Sequence, residues 1–469
     1  MKLSIKHFCM VRPIHEPTCK GRQSLSELDQ INSLTHTQVI YFYQSPKIWL
    51  TPSEAVFNSL RDSLRRVLVP FYPLAGRLRW TLNDHHKGRL ELDCDGRGVA
   101  FFEVEFDVEL VEFGDFAPST PNYQNLFPSI DCSVPIHELP VLFVQLTRFK
   151  CGGISLSLSF SHVVADGLSM AHFVTEWARV SREEPMQKMP CHVRNPSRIT
   201  RTTRVFDHST DFLYLPRLLI EKPTSDDHQE VKNMIERTVI SLKLSKYQVE
   251  KLRKFASDNI QNDEGKRVVY TRYEVLAAHI WRCMTKVRKN KDEQETTNIV
   301  TIDARRRLEP AALPEEYFGN AIFDVKARSL AGDLVAKPLG YGASRIREAI
   351  EKVTNEYVLS AIDFIKNQQD LSRFRYLYSL FVENNINLLG NPNVAVTNWV
   401  NLPAYGIDFG WGKEIYFGPG NLEIDGDSVL FRDNVSGDIG SLIVVLCLQV
   451  DHVDDFKKHF YKEILDSSL

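Results

Sequence analysis

The residues best able to do chemistry sit in one stretch, Cys151-Gly-Gly-Ile-Ser-Leu-Ser-Leu-Ser-Phe-Ser-His-Val-Val-Ala-Asp-Gly167. An imidazole takes up and returns a proton near neutral pH, so His162 is a candidate general base. Asp166 follows it by four residues, and Gly167 turns the chain. Ile154, Leu156, Leu158 and Phe160 alternate with serines, the period-two pattern of a half-buried strand. His162 shares the parity of the apolar face, so it should leave the strand end pointing inward. Gly152-Gly153 separates this run from another apolar run ending at Phe149, which predicts a hairpin. Met170, Phe173, Val174 and Trp177 have helical spacing, so a helix over 168–179 should start just behind the histidine. A bare His-x-x-x-Asp spacing carries little weight in a chain with 14 histidines.

A second constellation is Asp408-Phe-Gly-Trp-Gly412. Its glycines permit tight turns and its aromatics supply apolar area, so it reads as a loop that braces a site.

The positioning elements follow from pattern. Residues 2–11 suit an edge strand, and 39–43 a short aromatic one. Thr51-Pro52-Ser53-Glu54 combines a cap, a first-turn proline and a third-position glutamate, so a helix should start there and bury Val56, Phe57, Leu60, Leu64, Val67 and Leu68. Residues 90–108 read as two strands around Asp95-Gly96. Residues 195–233 lose regular pattern and read as a long connection. Beyond it, 238–244, 297–302, 393–400 and 441–449 read as strands. Residues 245–255, 271–285, 346–366 and the end from Asp454 read as helices. The predicted organisation is an N-terminal domain over 1–195, a crossover over 196–233 and a C-terminal domain over 234–469. The fold class is mixed α/β, two sandwiches side by side with a cleft between them.

Composition agrees with a folded globular protein. The chain has 469 residues, 43% hydrophobic and 25% charged, too long for one ordinary core. A net charge of −3 implies neither nucleic acid nor an anionic membrane as partner. The eight cysteines are scattered without a C-x-x-C pair, which argues against a zinc site and for a reducing compartment. The start lacks the apolar core of a signal peptide, and no run approaches a membrane span. A cytoplasmic monomer is expected.

Together, His162-Val-Val-Ala-Asp166-Gly167 and Asp408-Phe-Gly-Trp-Gly412 resemble the plant BAHD acyltransferase family. Tyr72-Pro-Leu-Ala-Gly-Arg77, Asp303-Ala-Arg-Arg-Arg-Leu308, Tyr317-Phe-Gly-Asn320 and Thr397-Asn-Trp399 agree, so the likeness covers essentially the whole chain. Leu25-Ser-Glu-Leu-Asp-Gln30, Thr35-His-Thr37, Tyr41-Phe-Tyr43, Thr354-Asn-Glu-Tyr357, Gly390-Asn-Pro-Asn393 and 408–420 are similar to the spermidine hydroxycinnamoyl transferases within it. The resemblance implies two chloramphenicol-acetyltransferase-like domains and a channel between them. It also implies acyl transfer from a CoA thioester, with acyl-CoA as co-substrate and no tightly bound cofactor or metal.

By the same carry-over, His162 and Asp408 mark the catalytic motifs, His162 as the base. Asp166, Gly167, Arg305 and Trp411 are structural supports. Asp166 should pair with Arg305, and Asp408 with an arginine of the Arg305–Arg307 run; a buried carboxylate needs a cationic partner. Thr397 and Trp399 match positions near the thioester carbonyl, and Thr37 and Tyr41 positions near the aromatic acyl group. Arg253 and Lys254 fall where the family sets basic residues against CoA phosphates, although a solvated helix face reads equally well.

Two departures bear on substrate. Shikimate- or quinate-using relatives carry an arginine before the Asn-Pro-Asn strand; here 381–387 has Glu383 and no arginine. Glu383 and Asp363 therefore become candidates to hold a cationic amine. Val39 stands where phenol-binding relatives have Ser or Thr, which points to a less hydroxylated acyl group, cinnamoyl or benzoyl. The expected reaction is aromatic N-acylation of a polyamine such as spermidine. O-acylation of an alcohol, or a non-catalytic ligand-binding relative, stands as the alternative.

Overall fold

The computed structural model describes residues 3–16, 21–44, 53–81, 87–194, 204–208, 236–257, 268–309, 313–371, 390–420 and 422–466. Of the expected crossover, only 204–208 lie within them.

The first six-stranded sheet contains β1 (Leu3–Val11), β3 (His36–Tyr43), β6 (Val99–Phe106), β7 (Leu142–Phe149), β8 (Ile154–Ser161) and β13 (Tyr416–Pro419). Their spatial order is β1-β6-β7-β8-β3-β13. The opening strand is an edge strand, as its pattern predicts. The last strand comes from the C-terminal half: Phe417 pairs with Tyr41 and Pro419 with Val39. A small sheet holds β2 (Arg22–Ser24), β4 (Arg77–Trp80) and β5 (Leu90–Asp93). The two strands read around Asp95-Gly96 therefore exist, but β5 and β6 belong to different sheets.

The second six-stranded sheet runs β11 (Ile322–Leu330), β10 (Glu295–Asp303), β12 (Val394–Asn398), β14 (Asp427–Arg432), β15 (Leu442–Gln449) and β9 (Arg237–Leu244). The helices are α1 (Glu27–Gln30), α2 (Ser53–Val67), α3 (Gly167–Ser181), α4 (Lys246–Ser257), α5 (Arg272–Val287), α6 (Ala331–Ala336), α7 (Leu339–Glu351), α8 (Asn355–Lys366) and α9 (Val453–Asp466). Residues 346–366 are not one helix: α7 ends at Glu351, and Thr354 caps α8 by accepting from the Tyr357 N–H. Thr51 and Pro52 lie outside the described residues.

Each sheet buries one face against its own helices. In the first, Leu156, Leu158 and Phe160 pack with Leu60 and Leu64 of α2 and Phe173 and Trp177 of α3. In the second, Val444 and Leu446 pack with Leu276 and Ile280 of α5 and Phe460 of α9. The other faces meet each other. Ile40, Phe42 and Phe149 of the first sheet share a core with Val429, Phe431, Ile443 and Val445 of the second.

That third core corrects the reading of β8 as half-buried. All eight of its residues are buried. Its serines face the second sheet: Ser155 lies opposite Phe42, Ser157 opposite Ile40 and Ser159 opposite Gln38. Alternation of apolar and polar residues normally marks a solvated face; here a second sheet covers it. The Ser157 hydroxyl donates to the Leu126 carbonyl at 2.6 Å. The hydroxyls of Ser155, Ser159 and Ser161 have no hydrogen-bond partner among the described residues.

Candidate active site

His162 stands one residue past the end of β8, where a turn leads to α3. The hairpin that delivers it is closed at Gly152, whose φ of +82° favours glycine, and the Phe149 N–H donates to the Gly153 carbonyl at 2.9 Å. Three distant segments fix the turn. The Asn320 side chain donates to the His162 carbonyl at 2.7 Å. The Asp29 carboxylate accepts from the Asn320 backbone N–H at 2.8 Å and its side-chain amide at 2.9 Å. Arg194 joins Asp29 at 2.7 Å and donates to the Val164 carbonyl at 2.9 Å. Asp29, Arg194 and Asn320 are all buried. None was singled out from the sequence as a site residue, although Asp29 and Asn320 lie in the matching stretches 25–30 and 317–320.

Asp166 is the best-compensated carboxylate around His162. It caps α3, accepting from the Ser169 N–H at 3.0 Å. Arg305 grips it with two donors at 2.7 and 3.1 Å, and the Ala321 N–H donates to it at 2.9 Å. Burial alone would raise its pKa; Arg305 and the two N–H groups outweigh that and hold it below the usual carboxylate value. It stays ionised and has no spare capacity to relay a proton. The Asp166–Arg305 pairing implied by the resemblance is present. Gly167, the first residue of α3, packs against Leu402, which an added Cβ would meet at 3.3 Å.

The two sheets part beside the histidine around a cavity of ≈1380 Å³. Leu3, Ile5, Phe102 and Val104 line it from the first sheet; Ile299, Thr301, Asp324 and Thr397 line it from the second, and His162 lies on its wall. The Nδ1 atom of His162 is buried without a hydrogen-bond partner among the described residues. Of the residues expected in the pocket, Thr37, Thr397 and Trp399 line the cavity. Val39 and Tyr41 do not. They are 8% and 1% exposed and lie in the first domain's core, Tyr41 against Phe417 with ring centroids 4.8 Å apart. Pairing of β13 with β3 brings Phe417 over that face. The selectivity argument from Val39 thereby loses its footing.

Asp363 lies on α8 away from the cavity wall, and Glu383 lies outside the described residues. Arg253 pairs with Glu250 at 2.7 Å on the surface of α4, Lys254 is exposed beside it, and neither lines the cavity. These two read as a solvated helix face.

Asp408 also departs from expectation. It does not join the Arg305–Arg307 run. Its carboxylate accepts from the N–H groups of Gly410 at 2.7 Å and Gly412 at 2.9 Å, and its carbonyl accepts from Arg182. Gly410 and Gly412 have φ of +103° and +96°, so the loop needs those glycines to turn back on the carboxylate. Trp411 stacks on Phe409 at 5.5 Å and meets the Tyr43 ring edge-on at 5.4 Å; Phe409 in turn abuts Trp177 of α3 at 5.0 Å. Asp408 is not among the residues that line the cavity. Its loop braces the helix that follows His162.

Carboxylates that the sequence reading passed over also line the cavity, among them Asp324 on β11 and Asp427 at the start of β14. The Thr301 hydroxyl donates to Asp324 at 2.7 Å. Burial raises the Asp324 carboxyl, against that hydrogen bond and the nearby charges of His162 and Lys326. Burial lifts Asp427 to about 7; the Ser428 N–H works against this and the Asp324 charge adds to it. Asp427 is half-buried and Asp324 is open to the cavity solvent.

An imidazole held at a cavity wall, beside a locked carboxylate and apolar surface, can remove a proton from a nucleophile positioned against an acyl carbonyl. Known proteins agree with that chemistry. The chain is 40% identical to hydroxycinnamoyl-CoA:piscidic acid hydroxycinnamoyltransferase of Actaea racemosa, over 98% of this chain and 99% of that one. It is 34% identical to shikimate O-hydroxycinnamoyltransferase of Nicotiana tabacum, over 98% and 100%. It is 33% identical to hydroxycinnamoyl-CoA:5-hydroxyanthranilate N-hydroxycinnamoyltransferase of Avena sativa, over 98% and 99%. The fold matches TRI101 of F. graminearum, crystallised with coenzyme A and deoxynivalenol, with a TM-score of 0.75 at 16% identity over 94% of this chain and 98% of that one. The family model described as the transferase family matches residues 1–463. The chain therefore belongs to the transferase family as an acyl-CoA-dependent acyltransferase of the BAHD type, with plant hydroxycinnamoyltransferases among its relatives.

Proposed function

We propose that the protein transfers an aromatic acyl group, hydroxycinnamoyl by likeness to its relatives, from its CoA thioester to a nitrogen of a polyamine such as spermidine. The observation that carries this reading is His162 on the wall of the cavity between the sheets, with Asp166 held by Arg305. Relatives acylate both oxygen and nitrogen acceptors by name, so family membership alone leaves the acceptor open. The acidic wall near His162 favours a cationic one.

A thioester needs alignment, a proton acceptor and stabilisation of the developing oxyanion. A polyamine nitrogen has a pKa of about 10.4 and an imidazole about 6.5, so direct deprotonation of an ammonium by His162 is uphill by roughly 5 kcal/mol. The attacking nitrogen therefore arrives neutral. It bonds to the acyl carbon, and the tetrahedral adduct passes its proton to His162. The C–S bond breaks, the proton goes to the departing thiolate, and amide and free CoA result.

The test is mass spectrometry of products from p-coumaroyl-CoA offered spermidine and shikimate together. N-acylated spermidine should dominate, and His162→Ala should lower kcat by about 10² or more with CoA binding intact. Acylation of shikimate alone, or a His162→Ala protein of ordinary activity, would refute the reading.

A further inference from the structure

We propose that Asn320 is a positioning residue of the acyl-transfer site: from outside the cavity, its side-chain amide holds the main chain of His162 and so aims the imidazole at the reacting groups. This rests on the reading of His162 as the base and names what orients that base.

A catalytic imidazole is commonly oriented by an acid on the ring nitrogen that faces away from the substrate. His162 lacks that arrangement. Its Nδ1 has no hydrogen-bond partner among the described residues, and Asp166 is occupied by Arg305 and by the N–H groups of Ser169 and Ala321. The direction of the ring therefore depends on where the main chain at residue 162 points its Cα–Cβ bond. Two hydrogen bonds hold that main chain. The His162 N–H donates to the Thr35 carbonyl at 3.4 Å, and the His162 carbonyl accepts from the Asn320 amide at 2.7 Å. The second is the shorter, and it comes from the other half of the chain.

Asn320 suits this task by what surrounds it. Both hydrogens of its amide meet oxygens that only accept, the His162 carbonyl and the Asp29 carboxylate, the latter at 2.9 Å. Its own Oδ1 is buried with no partner among the described residues, so the site uses the NH2 end and leaves the other uncompensated. An aspartate in its place has no hydrogen to give, and an alanine reaches neither oxygen. Asp29 is itself fixed. Fully buried, it also accepts from the Asn320 N–H at 2.8 Å, from the Ser26 N–H and hydroxyl at 2.8 Å each, and from Arg194 at 2.7 Å. Those four donors remain when the Asn320 amide is removed, so the fold should survive the loss. The neighbours of Asn320 grip the start of α3: the Gly319 carbonyl accepts from the Ser169 hydroxyl at 2.8 Å, and the Ala321 N–H donates to Asp166 at 2.9 Å. Asn320 does not line the cavity, so it acts on the reaction through His162 and not through the substrate.

The experiment follows release of free CoA from p-coumaroyl-CoA, with spermidine and shikimate both present, in wild type, Asn320→Ala, His162→Ala and the double variant. Asn320→Ala should lower kcat about tenfold or more, the scale of a misplaced catalytic group, with KM for the acyl-CoA within a few-fold of wild type. In the His162→Ala background the same change should cost less than about twofold, because no base remains to be misaimed. Asn320→Ser, too short to reach both oxygens, replaces an Ala variant that does not fold. A kcat near wild type in Asn320→Ala, or a loss of rate explained by KM alone, would overturn the inference. So would an equal loss with and without His162, which would mean that Asn320 only keeps the pocket in shape. Ordinary activity of His162→Ala would sink the reading of the base itself, a result seen without any change at residue 320.

Discussion

Asp166 and Asp324 lie on the same cavity wall, near the same histidine, and the protein provides for them in opposite ways. Asp166 receives two donors from Arg305 and two backbone N–H groups. Asp324 receives one threonine hydroxyl, with the charges of His162 and Lys326 nearby rather than in an ion pair among the described residues. Asp166 is buried and needs compensation for desolvation, whereas Asp324 is open to cavity solvent, which supplies part of its own. The fold supplies it in one case and leaves it incomplete in the other. A carboxylate whose lone pairs are all taken serves the architecture. One with capacity left over is met by the solvent it faces.

The largest effect should come from breaking the complete case. Arg305→Met leaves Asp166 buried and unpaired and should destabilise the protein by about 3–5 kcal/mol. The denaturant midpoint of the variant measures this, and the double change Arg305→Met with Asp166→Leu should recover much of it. An unchanged midpoint in the single variant would remove the first half of the comparison.

The incomplete case should show in pH. Asp427 titrates near 7 when folded and near its ordinary value, about 3.9, when unfolded. Between those values the folded protein holds a proton that the unfolded chain has released, so stability falls as pH rises from about 4 to 7. Asp427→Asn lacks this proton. Relative to wild type it should gain about 1–2 kcal/mol between pH 5 and pH 8, the full shift being discounted for contact with cavity water. Parallel stability curves for the two proteins would mean that Asp427 is adequately compensated after all.

The sequence made one half of this contrast legible. The alternation before His162, the glycine pair and the helical spacing behind it identify β7, β8 and α3, and the structure has all three. The Asp166–Arg305 pair was legible through resemblance, because both residues lie in short recognisable runs. What escaped depended on how the two halves meet. The serines of β8 read as a wet face because nothing local announces a second sheet over them. Val39 and Tyr41 read as pocket residues because β13, which brings Phe417 across them, joins the first sheet from the far end of the chain. Asp324 and Asp427 carry no local mark either. Each is one polar residue in an alternating strand, and only the packing of β11 and β14 around one cavity sets them on its wall.

Asp408 supplies the intermediate case and the smallest effect. Its carboxylate is satisfied by N–H groups of its own loop rather than by an arginine, and those hydrogen bonds are exposed. Water can replace an exposed donor, so Asp408→Ala should cost only about 1 kcal/mol of stability. The Tyr43–Trp411–Phe409–Trp177 chain of rings should hold the loop against α3, leaving His162 in place. The kcat of Asp408→Ala should therefore stay within a few-fold of wild type. A loss near 10², the size expected of a group that moves the proton, would return Asp408 to the reaction itself. A loss of several kcal/mol of stability with kcat intact would instead put it beside Asp166, as a carboxylate on which the packing depends.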